Sequence, residues 1–475
     1  MRFFNYLVAA LMLLNSAVQA QKTKPEVFKF IESKNDYYSG IAQKIWGFAE
    51  VGFQETQSSV LLQQTLKDAG FQIEAGVAGM PTAFVATYGS GKPVIGILGE
   101  YDALPGVAQE AVPELKPIAG QKAGHACGHH LFGTASSAAA IAVKEWLIAN
   151  KKPGTVKFFG TPAEEGGSGK VYLVRDGFFS NVDVVFHWHP GAKNSASYGS
   201  SLANKSGKFR FYGVASHAAA SPDRGRSALD AVEAMDMMVN MLREHVNEQT
   251  RIHYVITRGG EAPNVVPAFA EVYYYVRHPD PTEVKSTWEW VTKAAQGAAM
   301  GTQTRFESEV TGGVYNLLPN ETLAKTVNEN LNVAGGYTYT PVEKEFALKI
   351  QETFSKKIPI ESTNDIEKFG PDDDKGGSTD VSDISWVVPT AGLSTATWVP
   401  GTAAHSWQAV AAGSTSIGSK GMMMAAKTLA GAMIDAFSNP KLIEDAWTEL
   451  KKRRGENFKY EPLIGDRKPA LDYRK

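Results

Sequence analysis

The chain has 475 residues and carries 48 Lys and Arg against 50 Asp and Glu, which gives a formal charge of -2 at pH 7. Because neither sign of charge dominates, the composition argues against nucleic acid or an anionic membrane as a partner and favours a small molecule or peptide. With 43% hydrophobic residues and 45 glycines, the composition is that of a globular protein. The length predicts two or more domains.

The first segment, MRFFNYLVAALMLLNSAVQAQ, has one Arg, then an apolar run from Phe3 to Leu14 and small residues at Val18 and Ala20. This pattern predicts a secretory signal peptide over residues 1–20, cleaved after Ala20. A membrane anchor is the alternative, but spanning a bilayer takes about 20 apolar residues and this run is shorter. We therefore expect an exported protein, periplasmic or extracellular, with no membrane attachment after cleavage.

In the first half of the chain and again near residue 400, short apolar runs each end in polar sequence. PVIGILGEYD, GTVKFFGTPAEEGG, VDVVFHWHPG and GLSTATWVPGTAAHS are typical of buried strands, and LFGTASSAAAIAVKEWLIAN is typical of a small-residue helix that packs on a sheet. Strands alternating with helices predict an α/β domain with a mostly parallel sheet.

The segment 204–313 has a different pattern. KSGKFRFYGVAS and AEVYYYVRH alternate as half-exposed strands do, and two amphipathic helices accompany them. This order predicts an inserted α+β domain of the ferredoxin-like kind, because α/β strand signals resume after it. We divide the chain into a discontinuous catalytic domain (25–203 and 314–440), the inserted domain (204–313) and a C-terminal tail (441–475).

Cys127 is the only cysteine, so the chain cannot form an internal disulfide. An exposed thiol would be prone to oxidation outside the cytoplasm, and we expect this one to be buried or bound. A lone cysteine is most often a small buried apolar residue, but the segment GHACGHH at 124–130 places three histidines beside it. That setting favours a functional site.

Metal-binding side chains follow each predicted strand, at the edge where open α/β sheets bind their ligands. They are Glu100, Asp102, Cys127, His129, His130, Glu164, Glu165, His187, His189 and His405. Thiolate, imidazole and carboxylate together suit zinc first and manganese or cobalt next. Of the adjacent Glu164 and Glu165, one can bind metal while the other takes a proton from a metal-activated water, which indicates hydrolysis.

Several alternatives stay open at this point. Cys127 and His129 could instead form a nucleophile and its base, although four further candidates would then have no role. Glu164 and Glu165 could be an exposed acidic turn, and His187 could be a core residue.

Seven motifs in order resemble those of the M20 metallopeptidase family, in its amidohydrolase branch of aminoacylases, hippurate hydrolases and indole-acetyl-amino-acid hydrolases. They are GEYDALPG, GHACGHHLFG, PAEEGGSGK, WHPG, SHAAASPDRGRSALDA, NVVP and STDVSDISW. The resemblance covers about Lys24 to Ser438. It implies a dinuclear metallohydrolase domain interrupted by a smaller lid domain through which the chain forms a homodimer.

The resemblance also implies roles for individual residues. About two divalent metal ions per subunit would be held by Cys127, His129, Glu165, His189 and His405. Glu164 corresponds to the general base, and His217 to a histidine that reaches into the partner subunit's site and stabilises the oxyanion. Asn264 and Arg277 correspond to groups that hold the substrate's carbonyl and carboxylate.

The expected reaction is hydrolysis of the amide bond in N-acyl or N-aroyl amino acids with a free carboxylate. A dipeptidase or carboxypeptidase with the same site is one alternative, and a non-catalytic binding protein on a peptidase scaffold is another. Glu100 stands where many members of the branch carry Asp, so its role is left open, as is that of His187.

Overall fold

The structure, a computed structural model, describes residues 22–372 and 377–474. The predicted signal peptide over residues 1–20 lies outside the described residues.

The larger sheet has six strands, and its order across the sheet is β1-β2-β6-β3-β7-β14. These strands are β1 (Gln72–Ala75), β2 (Phe84–Ser90), β3 (Val94–Gly99), β6 (Gly154–Gly160), β7 (Val184–Gly191) and β14 (Thr390–Ala396). Four two-residue strands form two further pairs: β4 (Leu104–Pro105), β5 (Ala123–Gly124), β8 (Tyr198–Gly199) and β13 (Pro371–Asp372). In the larger sheet β6, β3, β7 and β14 are parallel neighbours, whereas β1 and β2 add antiparallel pairs at one edge. The sheet is therefore mixed, and the expected parallel arrangement describes only the half formed by those four strands.

Fourteen helices accompany the strands in the described part of the chain. They are α1 (Lys24–Glu32), α2 (Asn35–Phe48), α3 (Thr56–Asp68), α4 (His129–Asn150), α5 (Glu164–Gly167), α6 (Gly169–Arg175), α7 (Ala228–Leu242), α8 (Pro281–Thr302), α9 (Glu321–Ala334), α10 (Pro341–Gln351), α11 (Val381–Val387), α12 (Trp407–Gly413), α13 (Ser416–Ser438) and α14 (Pro440–Arg454).

Helix α4 packs beside α13 on the central strands of the larger sheet. Small residues such as Ala135, Ala138 and Ala139 are fully buried along it, so its backbone can approach the strands closely. Among the described residues it is the one helix long and apolar enough to cross a membrane, but 89% of its most apolar window is buried inside the protein. We interpret α4 as a core helix that carries His129 at its first turn.

The second sheet spans Ala203 to Val314 and is antiparallel throughout, in the order β10-β11-β9-β12. Its strands are β9 (Ala203–Tyr212), β10 (Arg251–Arg258), β11 (Phe269–His278) and β12 (Arg305–Val314). With α7 and α8 between them, the elements run strand, helix, strand, strand, helix, strand. The domain boundaries drawn from the sequence stay predictions.

The second sheet has its own hydrophobic core on the face that α7 and α8 cover. Phe209 and Tyr274 lie in that core. Because side chains alternate along a strand, Ser206 on β9 and Arg277 on β11 lie on the opposite, uncovered face. Both residues line a cavity together with Glu164 and Glu165, which follow β6 of the larger sheet.

Candidate metal centre

The candidate ligands follow parallel strands of the larger sheet, whose carboxyl ends meet at one edge. Glu100 follows β3, the turn with Glu164 and Glu165 follows β6, His189 lies near the end of β7, and His405 comes after β14. Cys127 lies two residues before the first residue of α4. The fold thus brings residues from distant parts of the sequence to one place.

Three overlapping groups of side chains are close enough to hold a metal ion, with the ligand atoms of each group within 4.8 Å of one another. The groups are Cys127 with His129 and His189, Cys127 with Glu165 and His405, and His129 with Glu164 and Glu165. Cys127 Sγ lies 3.4 Å from His189 Nε2, and His405 Nε2 lies 3.5 Å from Glu165 Oε1. The five expected ligands and Glu164 therefore form a single cluster.

Two atoms of this cluster test whether it fits a cation. His129 Nε2 and Glu165 Oε1 are buried and form no hydrogen bond of acceptable geometry among the described residues, although Glu100 Oε2 lies 3.0 Å from the first and His405 Nε2 lies 3.5 Å from the second. Buried polar atoms are rarely left unpaired, and both are ordinary metal-ligand atoms. The thiol, imidazoles and carboxylate of the cluster suit a divalent metal, so the residues fit the group that the motifs imply.

Asp102 links two members of the cluster. Its Oδ1 lies 2.9 Å from His129 Nδ1, and its Oδ2 accepts a hydrogen bond from the Glu165 backbone N–H at 2.9 Å. A carboxylate on Nδ1 turns Nε2 of the ring toward the cluster and fixes the orientation of the imidazole. The sequence placed Asp102 at this edge, but only the structure gives it this supporting role.

A fully buried group of charges lies beneath the cluster. Lys170 Nζ lies 2.7 Å from Glu100 Oε1 and 2.7 Å from Asp380 Oδ1. Burial alone would raise the pKa of Glu100, but Lys170 and His129 lower it well below its usual range. Glu100 therefore stays ionised beside His129, with its Oε2 3.0 Å from Nε2 of that ring.

The turn that carries Glu164 is fixed by a backbone hydrogen bond to the side chain of Glu55. Its preceding residue, Ala163, has a left-handed φ of 57°, and the Ala163 backbone N–H donates to Glu55 Oε1 at 2.8 Å. Burial, with nearby Glu100, Glu165 and Asp380, raises the pKa of Glu164 well above its usual range. By contrast, His405 and His129 outweigh burial and lower the pKa of Glu165. The two adjacent carboxyls thus have different environments.

The remaining histidines of this region lie outside the cluster. His125 Nε2 lies 3.0 Å from the Ile45 carbonyl and His130 Nε2 lies 3.1 Å from the Gly413 carbonyl, so both rings are buried and bonded to backbone. His187 lines a separate cavity, and burial lowers its pKa to about 4. We assign these three rings to packing.

The structure separates Arg277 from the other two residues that are expected to bind substrate. Arg277 lines a cavity of about 330 Å³ together with Glu164, Glu165 and His405, and its buried Nε has no hydrogen-bond partner among the described residues. His217 and Asn264 are exposed and adjoin each other, because the Ala218 N–H donates to the Asn264 carbonyl at 3.0 Å. Neither of the two lines that cavity. Their roles stay predictions.

The model of "Peptidase family M20/M25/M40" matches residues 96–409. The chain is 40% identical over 455 residues to the B-type chain of p-aminobenzoyl-glutamate hydrolase from Escherichia coli (strain K12), covering 89% of this chain and 95% of that protein. The chain belongs to this peptidase family. It is accordingly a hydrolase, as its motifs predict, and the resemblance of those motifs to the M20 family is confirmed.

One further relative supports the assignment, and one solved structure has the same fold. The Xaa-Arg dipeptidase of Mus musculus is 30% identical over 458 residues, covering 92% of this chain and 94% of that protein. A crystal structure from Bacillus subtilis, described as a dinuclear metal binding peptidase from the M20 family, superposes with a TM-score of 0.56 at 16% identity. That match covers 86% of this chain and 99% of the other, and it supports the fold.

Replacing Lys170 with Met should lower the free energy of unfolding by about 3–5 kcal/mol, because Glu100 and Asp380 would then be buried without their shared cation. Urea denaturation measures this change. The matched control is Lys92→Met, which removes a lysine that is 65% exposed and pairs with Asp183. The control should change the unfolding free energy by less than about 1 kcal/mol. Equal losses in the two variants would contradict the account of the buried charges.

Proposed function

We propose that this hydrolase cleaves the amide bond of N-acyl or N-aroyl amino acids, including p-aminobenzoyl-glutamate-like compounds, with about two divalent metal ions bound per chain. The convergence of Cys127, His129, Glu165, His189 and His405 beside Glu164 carries this proposal. Zinc is the first choice of metal, with manganese or cobalt as alternatives, because the donor set mixes a thiolate with imidazoles and a carboxylate.

The bound metals would supply Lewis-acid activation of water and of the amide carbonyl. Glu164 lies beside the ligands and can accept a proton from the attacking water. The water oxygen forms a bond to the carbonyl carbon, and the C–N bond breaks. The protonated Glu164 then returns the proton to the leaving amine, so that a carboxylic acid and an amino acid are released.

Arg277 supports a substrate with a free carboxylate. Its guanidinium lines the same cavity as Glu164, and its Nε lacks a partner among the described residues. A guanidinium binds carboxylates with two parallel hydrogen bonds, which fixes the orientation of the substrate. We propose that Arg277 binds the α-carboxylate and that Asn264, which adjoins His217 outside the cavity of its own chain, holds the substrate carbonyl in the site of a second copy.

Glu164→Gln should lower kcat by about 100-fold or more while the metal content stays unchanged, because the variant removes the proton acceptor and leaves the ligands in place. The matched variant Glu165→Gln should lose metal. The assay follows amine release from N-acetyl amino acids, p-aminobenzoyl-glutamate and dipeptides, together with elemental analysis of each protein.

If Glu164→Gln loses metal instead, Glu164 is a metal ligand and Glu165 is the general base. Faster hydrolysis of dipeptides than of N-acyl amino acids would favour the dipeptidase alternative. The absence of metal-dependent hydrolysis across the whole panel would favour a binding protein.

We also propose a homodimer formed through the second sheet and its helices. Strand β10 lies at the edge of that sheet, and Val255 and Ile256 on it are exposed. On α7, Met237 and Met241 are 61% and 64% exposed. An unpaired strand edge beside an apolar helix can pair with the same surface of a second copy. His217, exposed and outside the cavity of its own chain, would then complete the partner's site.

His217→Ala and Glu164→Ala should each be inactive alone, yet a refolded equal mixture should recover about a quarter of wild-type activity, because half of the dimers would contain one complete site. Unmixed variants are the control. A mixture that stays inactive while forming mixed dimers would contradict a shared site. Activity that appears only with a second, different chain would instead indicate an A-type partner chain.

We propose that the protein is exported and that residues 1–20 are removed. The apolar run that ends in small residues supports this proposal. Expression of the full chain in a bacterium should yield a periplasmic product whose first residue is Gln21, measured by fractionation and N-terminal sequencing. A cytoplasmic product that begins at Met1 would contradict it.

A further inference from the structure

The last described residues reach the candidate metal centre. The Tyr473 hydroxyl donates to the Glu165 carbonyl oxygen at 3.0 Å, and Arg474 Nη2 donates to the same oxygen at 2.9 Å. The side chain of Glu165 belongs to the metal cluster, so this segment contacts the backbone of a candidate ligand. No sequence motif pointed to these two residues.

Contacts with residues 52–54 hold the segment from Leu471 to Arg474 in place. Gln54 Nε2 donates to the Leu471 carbonyl at 2.8 Å, and the Tyr473 ring packs edge-on against Phe53, with centroids 5.7 Å apart. A Cβ added to Gly52 would lie only 2.2 Å from the Tyr473 hydroxyl, so only glycine leaves room there. The position of Arg474 therefore follows from the fold of the residues before it.

Arg474 and Arg277 line one cavity with Glu164 and Glu165. Burial raises the pKa of Tyr275 to about 12, and the charges of Arg277 and Arg474 both oppose this rise, so both guanidinium groups lie near that hydroxyl. Arg474 donates to a backbone carbonyl, and the guanidinium of Arg277 lies over the Tyr275 ring. Among the described residues, neither guanidinium forms a salt bridge with a carboxylate.

We propose that Arg474 determines specificity by binding a second carboxylate, the one on the side chain of an acidic amino acid, while Arg277 binds the α-carboxylate. This inference rests on the proposed function. Two guanidinium groups that lack a carboxylate partner in one cavity match a substrate with two carboxylates. Each guanidinium can form a charge-assisted pair with one of them. The preferred substrates are N-acyl derivatives of glutamate or aspartate.

The test compares N-acetyl-L-glutamate with N-acetyl-L-glutamine, which has nearly the same shape and a neutral side chain. In the wild-type, metal-loaded protein, kcat/KM should be about tenfold higher for the glutamate compound. Arg474→Gln should bring the two values within about twofold, because it should raise KM for the glutamate compound much more than for the glutamine compound. Arg474→Lys should keep part of the preference.

Lys468→Gln is the matched control, since it removes a positive charge from the same segment at an exposed residue outside the cavity. It should leave the glutamate preference unchanged.

If Arg474→Gln lowers kcat/KM equally for both substrates, Arg474 only holds Glu165 in position and the proposal is overturned. An unchanged preference for the glutamate compound in Arg474→Gln would overturn it as well. If the wild-type protein hydrolyses neither compound nor any neutral N-acyl amino acid, the proposed function itself fails. Hydrolysis of neutral compounds without a preference for acidic ones rejects only the role of Arg474.

Discussion

The structure depends on one electrostatic constraint: carboxyl groups, imidazoles and a thiol converge at one edge of the larger sheet, with ligand atoms within 4.8 Å of one another. Burial removes the water that would otherwise stabilise charge on these groups. Lys170 offsets the charges of Glu100 and Asp380 beneath the cluster. Around Cys127 and Glu165 the neighbouring groups are imidazoles and the carboxyl of Glu164, and divalent cations would supply positive charge there.

The surrounding residues hold this cluster through backbone as well as side chains. Asp102 contacts both His129 and the backbone N–H of Glu165, and Glu55 accepts the N–H of Ala163. The segment ending at Arg474 donates to the carbonyl of Glu165. Ligands fixed in this way before a metal binds lose little conformational entropy on binding, which favours a tight and well-ordered site.

The sequence predicted those parts of the metal-ligand cluster that follow from the pattern of apolar and polar residues along the chain. Apolar runs followed by metal-type side chains predicted which residues meet at the sheet edge, because parallel strands deliver their following residues to one side. The antiparallel pairs of β1 and β2 were missed, since β1 is short and neither strand is followed by metal-type side chains. Within GHACGHH, residue type and spacing alone could not separate His129 from His130, and only the family resemblance selected His129. The backbone carbonyl of Gly413, which contacts the His130 ring, is distant in sequence.

Lys170 and Arg474 were missed for a related reason. Lys170 lies in the motif PAEEGGSGK, whose pattern gave the lysine no role of its own, and it acquires one through Asp380, 210 residues away. Arg474 lies in irregular sequence, where no periodicity exists to interpret, and it contacts a residue 309 positions earlier.

The most direct test of the central claim is the metal content of the chelator-stripped protein after dialysis against Zn²⁺, measured by elemental analysis for the wild type and for Cys127→Ala. We predict about two ions per wild-type chain and a clear loss in the variant, since Cys127 belongs to two of the ligand groups. An active wild-type protein that binds no metal, or a variant with undiminished metal content, would contradict this account.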